Sequence, residues 1–332
     1  MSNQDALLAR AGDLLSRLEA LLSRPSGTTD WNHIAYRWRG QRGLQPVARP
    51  HQVRLDDLLC MEQQKAEIVR NTRQFVAGRS ANNVLLWGSR GTGKSTLIKA
   101  ILNEFSDLGL RLIEVEKQGL IDLPDILDHL YDRPERFVLF CDDLSFEADD
   151  PSYKSLKAVL DGSITAPPEN VLIYATSNRR HLLPEYKQEN LDTRVVEGEI
   201  HHGEGVEEKI SLSERFGLWL SFYPFTQQQY LQIVEHWLRR FDSGSCSDQE
   251  TRLAALRWAR QRGSLSGRVA RQFAGLAIVL FVAVAALVVI DKMLLKEVDL
   301  QKELKENNLA VALFAASMMV FVALIICFGM KA

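Results

Sequence analysis

A parallel β-sheet covered by helices on both faces is the α/β fold this sequence predicts, and three observations predict it. Short, wholly apolar runs alternate with helical patterns from residue 82 onward, a glycine-rich turn joins one run to a helix, and another run ends in paired carboxylates. Strands without polar alternation are buried on both faces, which calls for crossover helices and hence parallel pairing.

The strands are read at VLLW (84–87), LIEV (112–115), FVLF (137–140) and VLIYA (171–175), with the helical run STLIKAILNEF after the first turn. A further helix over Pro151–Leu160 has Asp150 as candidate N-cap, Pro151 in its first turn and Gly162 just beyond its end. The polar, glycine-containing segment from Pro184 to Lys209 reads as a long insertion loop. Helical patterns at 226–241 and 248–261 predict a small helical lobe, 224–272, after a core domain at 55–223.

Ahead of that core, Leu7, Leu8, Ala11, Leu14, Leu15, Leu18, Leu21 and Leu22 recur at helical spacing, so 1–24 is read as an amphipathic helix stopping before Pro25. Such a stripe packs on its own domain or pairs between subunits. Residues 25–54 read as an irregular linker: Arg37, Arg39, Arg42, Arg49 and Arg54 mix with Trp31, Tyr36 and Trp38, and no acid occurs from 31 to 54. That mixture suits a protein contact, or stacking on a nucleic acid.

Composition narrows the classes. The 332 residues are 46% hydrophobic and 25% charged, with a net charge of −2, so a globular chain is expected and a broad non-specific grip on nucleic acid is not. Cys60, Cys141, Cys246 and Cys327 are scattered without metal-ligand spacing, and His201 and His202 lack a third ligand. With no secretory signal in MSNQDALLAR, the globular part is expected in the cytoplasm.

Gly88-Ser89-Arg90-Gly91-Thr92-Gly93-Lys94-Ser95 fits G-x-x-x-x-G-K-[ST] between a strand and a helix. Glycines let the backbone curl until its N–H groups point at phosphate oxygens, and the helix N-terminus, continuing into Thr96, adds its positive dipole end. Lys94 would reach the β- and γ-phosphates of ATP, and the Ser95 hydroxyl would ligate Mg²⁺. Asp142, at the end of FVLFC, is the expected acid of the Mg²⁺ shell. Asp143 and Glu147 compete as the residue that orients or deprotonates water, and Asp143 is also readable as a turn cap.

Residues from about Leu55 to Phe273 resemble AAA+ P-loop ATPases, specifically a group of bacterial ATP-binding proteins of uncharacterised function. The motifs NNVLLWGSRGTGKSTLIKA, RFVLFCDDLSFEADDPSYKSLK, NVLIYATSNRRHLLPE and EEKISLSERFGLWLSFYPF carry the resemblance. It implies that Asn178 is the polar sensor that orients the attacking water, and that Arg215 is an arginine finger reaching a neighbouring subunit's γ-phosphate. It also implies that Arg268 is a second sensor on the bound nucleotide, that Leu58 and Leu59 line an adenine pocket, and that the protein is a homo-oligomer. Without it, Asn178 is equally a turn residue, Arg215 a partner for Glu214 or Glu207, and Arg268 a membrane-flanking residue beside Arg271.

Two charge-free runs, 18 residues at 273–290 and 21 at 309–329, predict two transmembrane helices, with a buried hairpin as the alternative. The loop between them, 291–308, carries four lysines and five acids and is expected outside. Arg257, Arg260, Arg262, Arg268 and Arg271 precede the first run, which places the ATPase part in the cytoplasm at an inner membrane. This tail departs from the soluble family and faintly resembles small bacterial inner-membrane proteins of paired helices. The expected function is a membrane-anchored ATPase that hydrolyses Mg-ATP between subunits to remodel an unknown protein partner. A nucleotide-gated membrane effector with little turnover and a DNA-remodelling ATPase are the competing readings.

Overall fold

In chain order the elements are β1 (Ala35–Trp38), β2 (Leu44–Pro46), α1 (Glu62–Val76), β3 (Val84–Gly88), α2 (Lys94–Phe105), β4 (Leu110–Glu114), α3 (Leu123–Asp128), β5 (Arg136–Cys141), α4 (Pro151–Asp161), β6 (Val171–Ser177), β7 (Arg194–Val196), β8 (Glu199–His201), β9 (Leu218–Phe222), α5 (Gln227–Arg240) and α6 (Gln249–Gln261). A last helix, α7, covers 267–277. The structure, a computed structural model, describes residues 29–146, 150–161, 168–180, 182, 194–196, 199–201, 214–241, 249–277, 309, 313, 316 and 317.

Seven strands form one sheet in the order β2-β1-β4-β5-β6-β3-β9, and every pair except β1–β2 is parallel. Alternate residues of each strand feed opposite layers. Val84, Leu86, Val138 and Phe140 join Ile68, Phe75, Leu97 and Ile101 on one face. Leu85, Phe137, Leu139 and Ile173 join Leu123, Ile126, Tyr153 and Leu156 on the other. Burial on both faces is what the continuous apolar runs required.

β9 was not legible as a strand. It lies parallel to β3, pairing Leu86 with Leu220 and Gly88 with Phe222, so the strand that leads into the glycine-rich turn is internal to the sheet. Only two of its five positions, Leu220 and Phe222, are apolar and buried, and that alternation is too short to separate from loop.

The segment 25–54 is not an irregular linker throughout, because β1 and β2 extend the sheet beyond β4. Tyr36 is fully buried, and Trp38 is buried with its indole N–H donating to Asp122 at 2.9 Å. Arg37 pairs with Glu114 at 2.6 Å and Arg39 with Glu116 at 2.8 Å. Arg133 lies 4.5 Å over the Trp31 ring. The acids missing from this stretch are supplied by β4 and the turn after it, so Arg37, Arg39, Tyr36 and Trp38 are engaged within the domain, while Arg42, Arg49 and Arg54 are exposed. Within the expected insertion loop, β7 and β8 pair as a separate antiparallel ribbon.

The helical lobe is capped at its entrance and tied to the core at the far end of α5. Thr226 caps α5 in a reciprocal box with Gln229. At the far end of α5, Arg240 pairs with buried Asp57, and His236 Nε2 lies 3.6 Å from the same carboxylate. α7 then crosses the expected boundary at 272/273 unbroken: Ala274 is fully buried, and Phe273 and Ala277 pack on the same core. Three of the first five residues of the expected span 273–290 therefore pack on protein, and 278–290 lie outside the described residues. The amphipathic 1–24 and nearly all of 309–329 also lie outside them. Among the described residues no helix is long and apolar enough to cross a membrane.

A buried hydroxyl ties α1 to the centre of the sheet. Tyr174 Oη is 2.8 Å from Thr72 Oγ1 and accepts from Asn71 Nδ2 at 3.2 Å. Burial pushes the phenol pKa up, against the lowering effect of Thr72 and Asn71. Tyr174→Phe is expected to lower the unfolding free energy by about 1 kcal/mol, read by urea denaturation, with the nucleotide site unaltered.

Candidate nucleotide-binding site

The turn from Gly88 to Lys94 is shaped by three glycines at positive φ: Gly88 (128°), Gly91 (77°) and Gly93 (98°). None has room for a side chain. A Cβ on Gly88 would stand 2.0 Å from the Phe222 carbonyl oxygen, one on Gly91 2.6 Å from Ser266 Cβ, and one on Gly93 2.9 Å from Met61 Cε. Gly93 occupies the left-handed cap position of α2, so the turn opens directly onto the first amides of that helix. Ser89 N donates to Phe222 O at 2.9 Å, and Thr92 Oγ1 donates to Ser89 O at 2.8 Å, which closes the curl from inside. Arg90 is at the exposed tip, and Thr96 sits half-buried in the first turn of α2.

Lys94 is buried to 7% exposure, and its ammonium donates to Gly88 O (2.7 Å), Ser89 O (2.8 Å) and Asn178 Oδ1 (3.2 Å). Burial pulls its pKa down, while Asp143 and Asp142 push it back up. A lysine folded onto loop carbonyls is a charge held over the turn in reserve for an anion.

β5 and β6 deliver the acids. Asp142 Oδ1 accepts from Ser95 Oγ and from Thr176 Oγ1, each at 2.6 Å. Asp143, at φ 52°, donates its N–H to the same Thr176 hydroxyl at 2.8 Å. Asn178 Nδ2 donates to Asp143 Oδ1, and Arg90 lies 3.8 Å from Asp143 Oδ2. Lys94, Asn178, Asp143, Thr176, Asp142 and Ser95 are thus one continuous polar network. Beside it, burial and the adjoining Asp142 charge push the Cys141 thiol up to about 12, so it stays neutral.

The remaining expected residues lie further out. Arg215 pairs with Asp161 at the end of α4, at the entrance to β9. Arg268 is exposed in the first turn of α7. That turn sits on the glycine loop: Gly267 N donates to Gly91 O at 3.2 Å, and Ser266 Oγ caps the helix by accepting from Val269 N at 3.3 Å. Leu58 is buried, 3.9 Å from where a Gly93 Cβ would stand, whereas Leu59 is half-buried against the core. Glu147 lies outside the described residues, as does His202; among the described residues no cluster of three His, Cys, Asp or Glu side chains could hold a metal.

Thr176, Met61, Ser266 and Asp161 were missed in the sequence. Thr176 carried a signal, a hydroxyl two residues before Asn178 at a strand end; the other three owe their places to tertiary packing alone.

The residues present fit a magnesium-bound oligophosphate. The turn is held in its curl by neighbours that leave no space for a Cβ at Gly88 or Gly91, its amides and one cation suit anionic oxygens, and Ser95 with Asp142 offers the hard oxygen donors that Mg²⁺ selects.

The sequence profile of a family described as "Protein of unknown function (DUF815)" matches residues 31–278. The chain belongs to that family. A second profile, "Domain of Unknown Function (DUF350)", matches residues 244–330, so it overlaps the end of the first match and part of the helical lobe, or lid. No match is found among curated proteins. Solved structures similar to it include the Thermotoga maritima RuvB Holliday junction branch migration motor, at 18% identity and a TM-score of 0.45, covering 70% of this chain and 66% of that one. Two mutants of that motor match at 19% and 20% identity, with TM-scores of 0.43 and 0.46, covering 68% and 70% of this chain and 62% and 66% of theirs. The DUF815 chain thus spans no more than about two thirds of the length of these motors.

Thr176 is the hinge of the acid pair, donating to one aspartate and accepting from the backbone of the next. Thr176→Val keeps the volume and removes both bonds. We expect Mg-ATP affinity or turnover to fall roughly tenfold, with Thr176→Ser retaining most of it, measured by calorimetry and phosphate release.

Proposed function

We propose that this DUF815 member is an ATPase that hydrolyses Mg-ATP between subunits of a homo-oligomer, attached to an inner membrane by its tail with the catalytic part in the cytoplasm. The observation that carries the reading is the cradle itself. Three glycines at positive φ, a buried lysine and a Ser95–Asp142 pair stand together at one end of the sheet, the groups that an oligophosphate and one divalent cation would use.

In this reading Lys94 exchanges its loop carbonyls for phosphate oxygens, and the α2 amides complete the anion shell. Ser95 and Asp142 hold Mg²⁺, which supplies charge neutralisation and Lewis acidity at the phosphoryl oxygens when bound. Asn178 spans Lys94 and Asp143 and fixes the carboxylate's direction, and Asp143 or Glu147 takes the proton of the attacking water. Arg268 reaches the nucleotide from the lid. Arg215 acts on the neighbouring subunit's site, released from Asp161 or oriented by it.

Attachment to the bilayer is supported by the two charge-free runs, although Phe273, Ala274 and Ala277 of the first pack on the core. That packing favours a second function alongside turnover. α7 touches Gly91 at one end and heads into the first apolar run at the other, so nucleotide occupancy and the tail are mechanically linked. Liposome leakage that follows nucleotide occupancy when Asp143 and Glu147 are both neutralised would point to a gated effector.

Lys94→Ala is expected to abolish both binding and hydrolysis. Arg215→Ala is expected to keep nucleotide affinity within about twofold while turnover falls at least roughly a thousandfold, measured by phosphate release on the assembled protein. Full turnover in Arg215→Ala would overturn the shared-site mechanism.

A further inference from the structure

The lid's charge is out of step with the rest of the chain. Its described residues, 227–241 and 249–277, contain eight arginines, no lysine and two acids, Glu235 and Glu250, while the whole chain has a net charge of −2. Arg239 is engaged by Glu235 at 2.7 Å and Arg240 by Asp57. Arg268 faces the nucleotide in the reading above. Arg252, Arg257, Arg260, Arg262 and Arg271 remain; all five are exposed, and none forms an ion pair with a described acid.

The lobe's interior explains why they are outside. α6 turns Ala255 and Ala259 into the core, where Tyr230 Oη donates to Ala255 O at 3.3 Å, and this leaves its polar positions to solvent. Two of the five guanidiniums are stacked on half-buried indoles, Arg262 4.6 Å over Trp258 and Arg271 4.9 Å over Trp237. An arginine braced on an indole presents a flat donor fork to a phosphate, and tryptophan itself favours the boundary between water and hydrocarbon.

We infer that this arginine face of the lid is a docking surface for anionic lipid headgroups. Nucleic acid has the same phosphate chemistry, and the proposed membrane attachment is what brings lipid phosphate near. α7 leaves the lobe at 277 directly into the apolar run ending at 290, so a bilayer held by the tail stands within a few residues of Arg271 and at high effective concentration to the lobe. Each guanidinium near an anionic surface contributes about fivefold in association, so five weak contacts suffice to hold a tethered lobe. The inference rests on the proposed membrane attachment for the lipid's proximity, while the surface itself rests on the described lid. Because α7 also touches Gly91, a lid held on lipid would be a lid less available to the loop.

The test uses the full chain in nanodiscs of phosphatidylcholine alone or with about a third phosphatidylglycerol. Amide hydrogen exchange is followed across 249–277, and alkaline carbonate extraction from liposomes reports attachment separately. Exchange in 249–277 slowed at least roughly fivefold by phosphatidylglycerol, and restored by high salt or by Arg252→Glu/Arg257→Glu/Arg260→Glu, is the expected result. The triple variant changes exposed side chains only, and its Mg-ATP affinity checks that the lobe is folded. Carbonate-resistant protein with equal exchange in both lipids would overturn the surface while leaving attachment in place. Extractable protein that still shows phosphatidylglycerol-dependent protection would support the surface and remove the attachment. Protection by duplex DNA in neutral discs, with none from phosphatidylglycerol, would overturn the lipid assignment in favour of nucleic acid.

Discussion

A backbone that turns at positive φ against packed neighbours cannot carry side chains there, and the turn from Gly88 to Lys94 is built around that restriction. Its glycines at positions 88, 91 and 93 lie at φ values that L side chains rarely adopt. The space their Cβ atoms would need is filled by Phe222, Ser266 and Met61, one residue each from β9, the entrance to α7 and the turn before α1. Three separate elements therefore converge on one turn, so the loop's shape is a property of the whole domain.

The same convergence links the loop to the acids at the end of the sheet and to the helical lobe. Thr176 spans two aspartates, and Asn178 joins the acid side to Lys94, so the loop and the end of β6 share one hydrogen-bond network. Gly91 meets Ser266 and Gly267 of the lid, while Asp57 meets His236 and Arg240 at the opposite end of that lobe. The lid is thus held at two points, one on the loop and one on the segment that carries Leu58 and Met61. The Arg215–Asp161 pair plays a comparable part on the far side, tying the approach to β9 to the end of α4.

How much of this was readable in the sequence varied with how local the cause was. VLLW, FVLF and VLIYA announced strands because both faces are buried, and Pro151, Thr226 and Gln249 mark helix starts within a residue of the patterns at 151, 226 and 248. The glycine turn was legible because its chemistry demands fixed spacing. β9 and β1 were not, since each is stabilised by a neighbour far away in sequence; Arg37 looked unpaired only because Glu114 is 77 residues on. Asp150 was legible as a cap, and its carboxylate accepts from Ser152 N at 3.0 Å, but its 2.6 Å partner Lys117 was not. Ser266 and Met61 had no local signature, because their contribution is to occupy space beside a glycine.

The central claim is that this turn encloses a polyphosphate together with its metal. Calorimetric titration of folded protein with ATP, once with Mg²⁺ and once with a chelator, tests it most directly. The account predicts saturable binding at one site per chain that weakens markedly when the cation is withdrawn, because Ser95 and Asp142 then bond each other instead. Protein shown to be folded by its tryptophan fluorescence, yet giving no heat and no displacement of a fluorescent nucleotide under either condition, would contradict it.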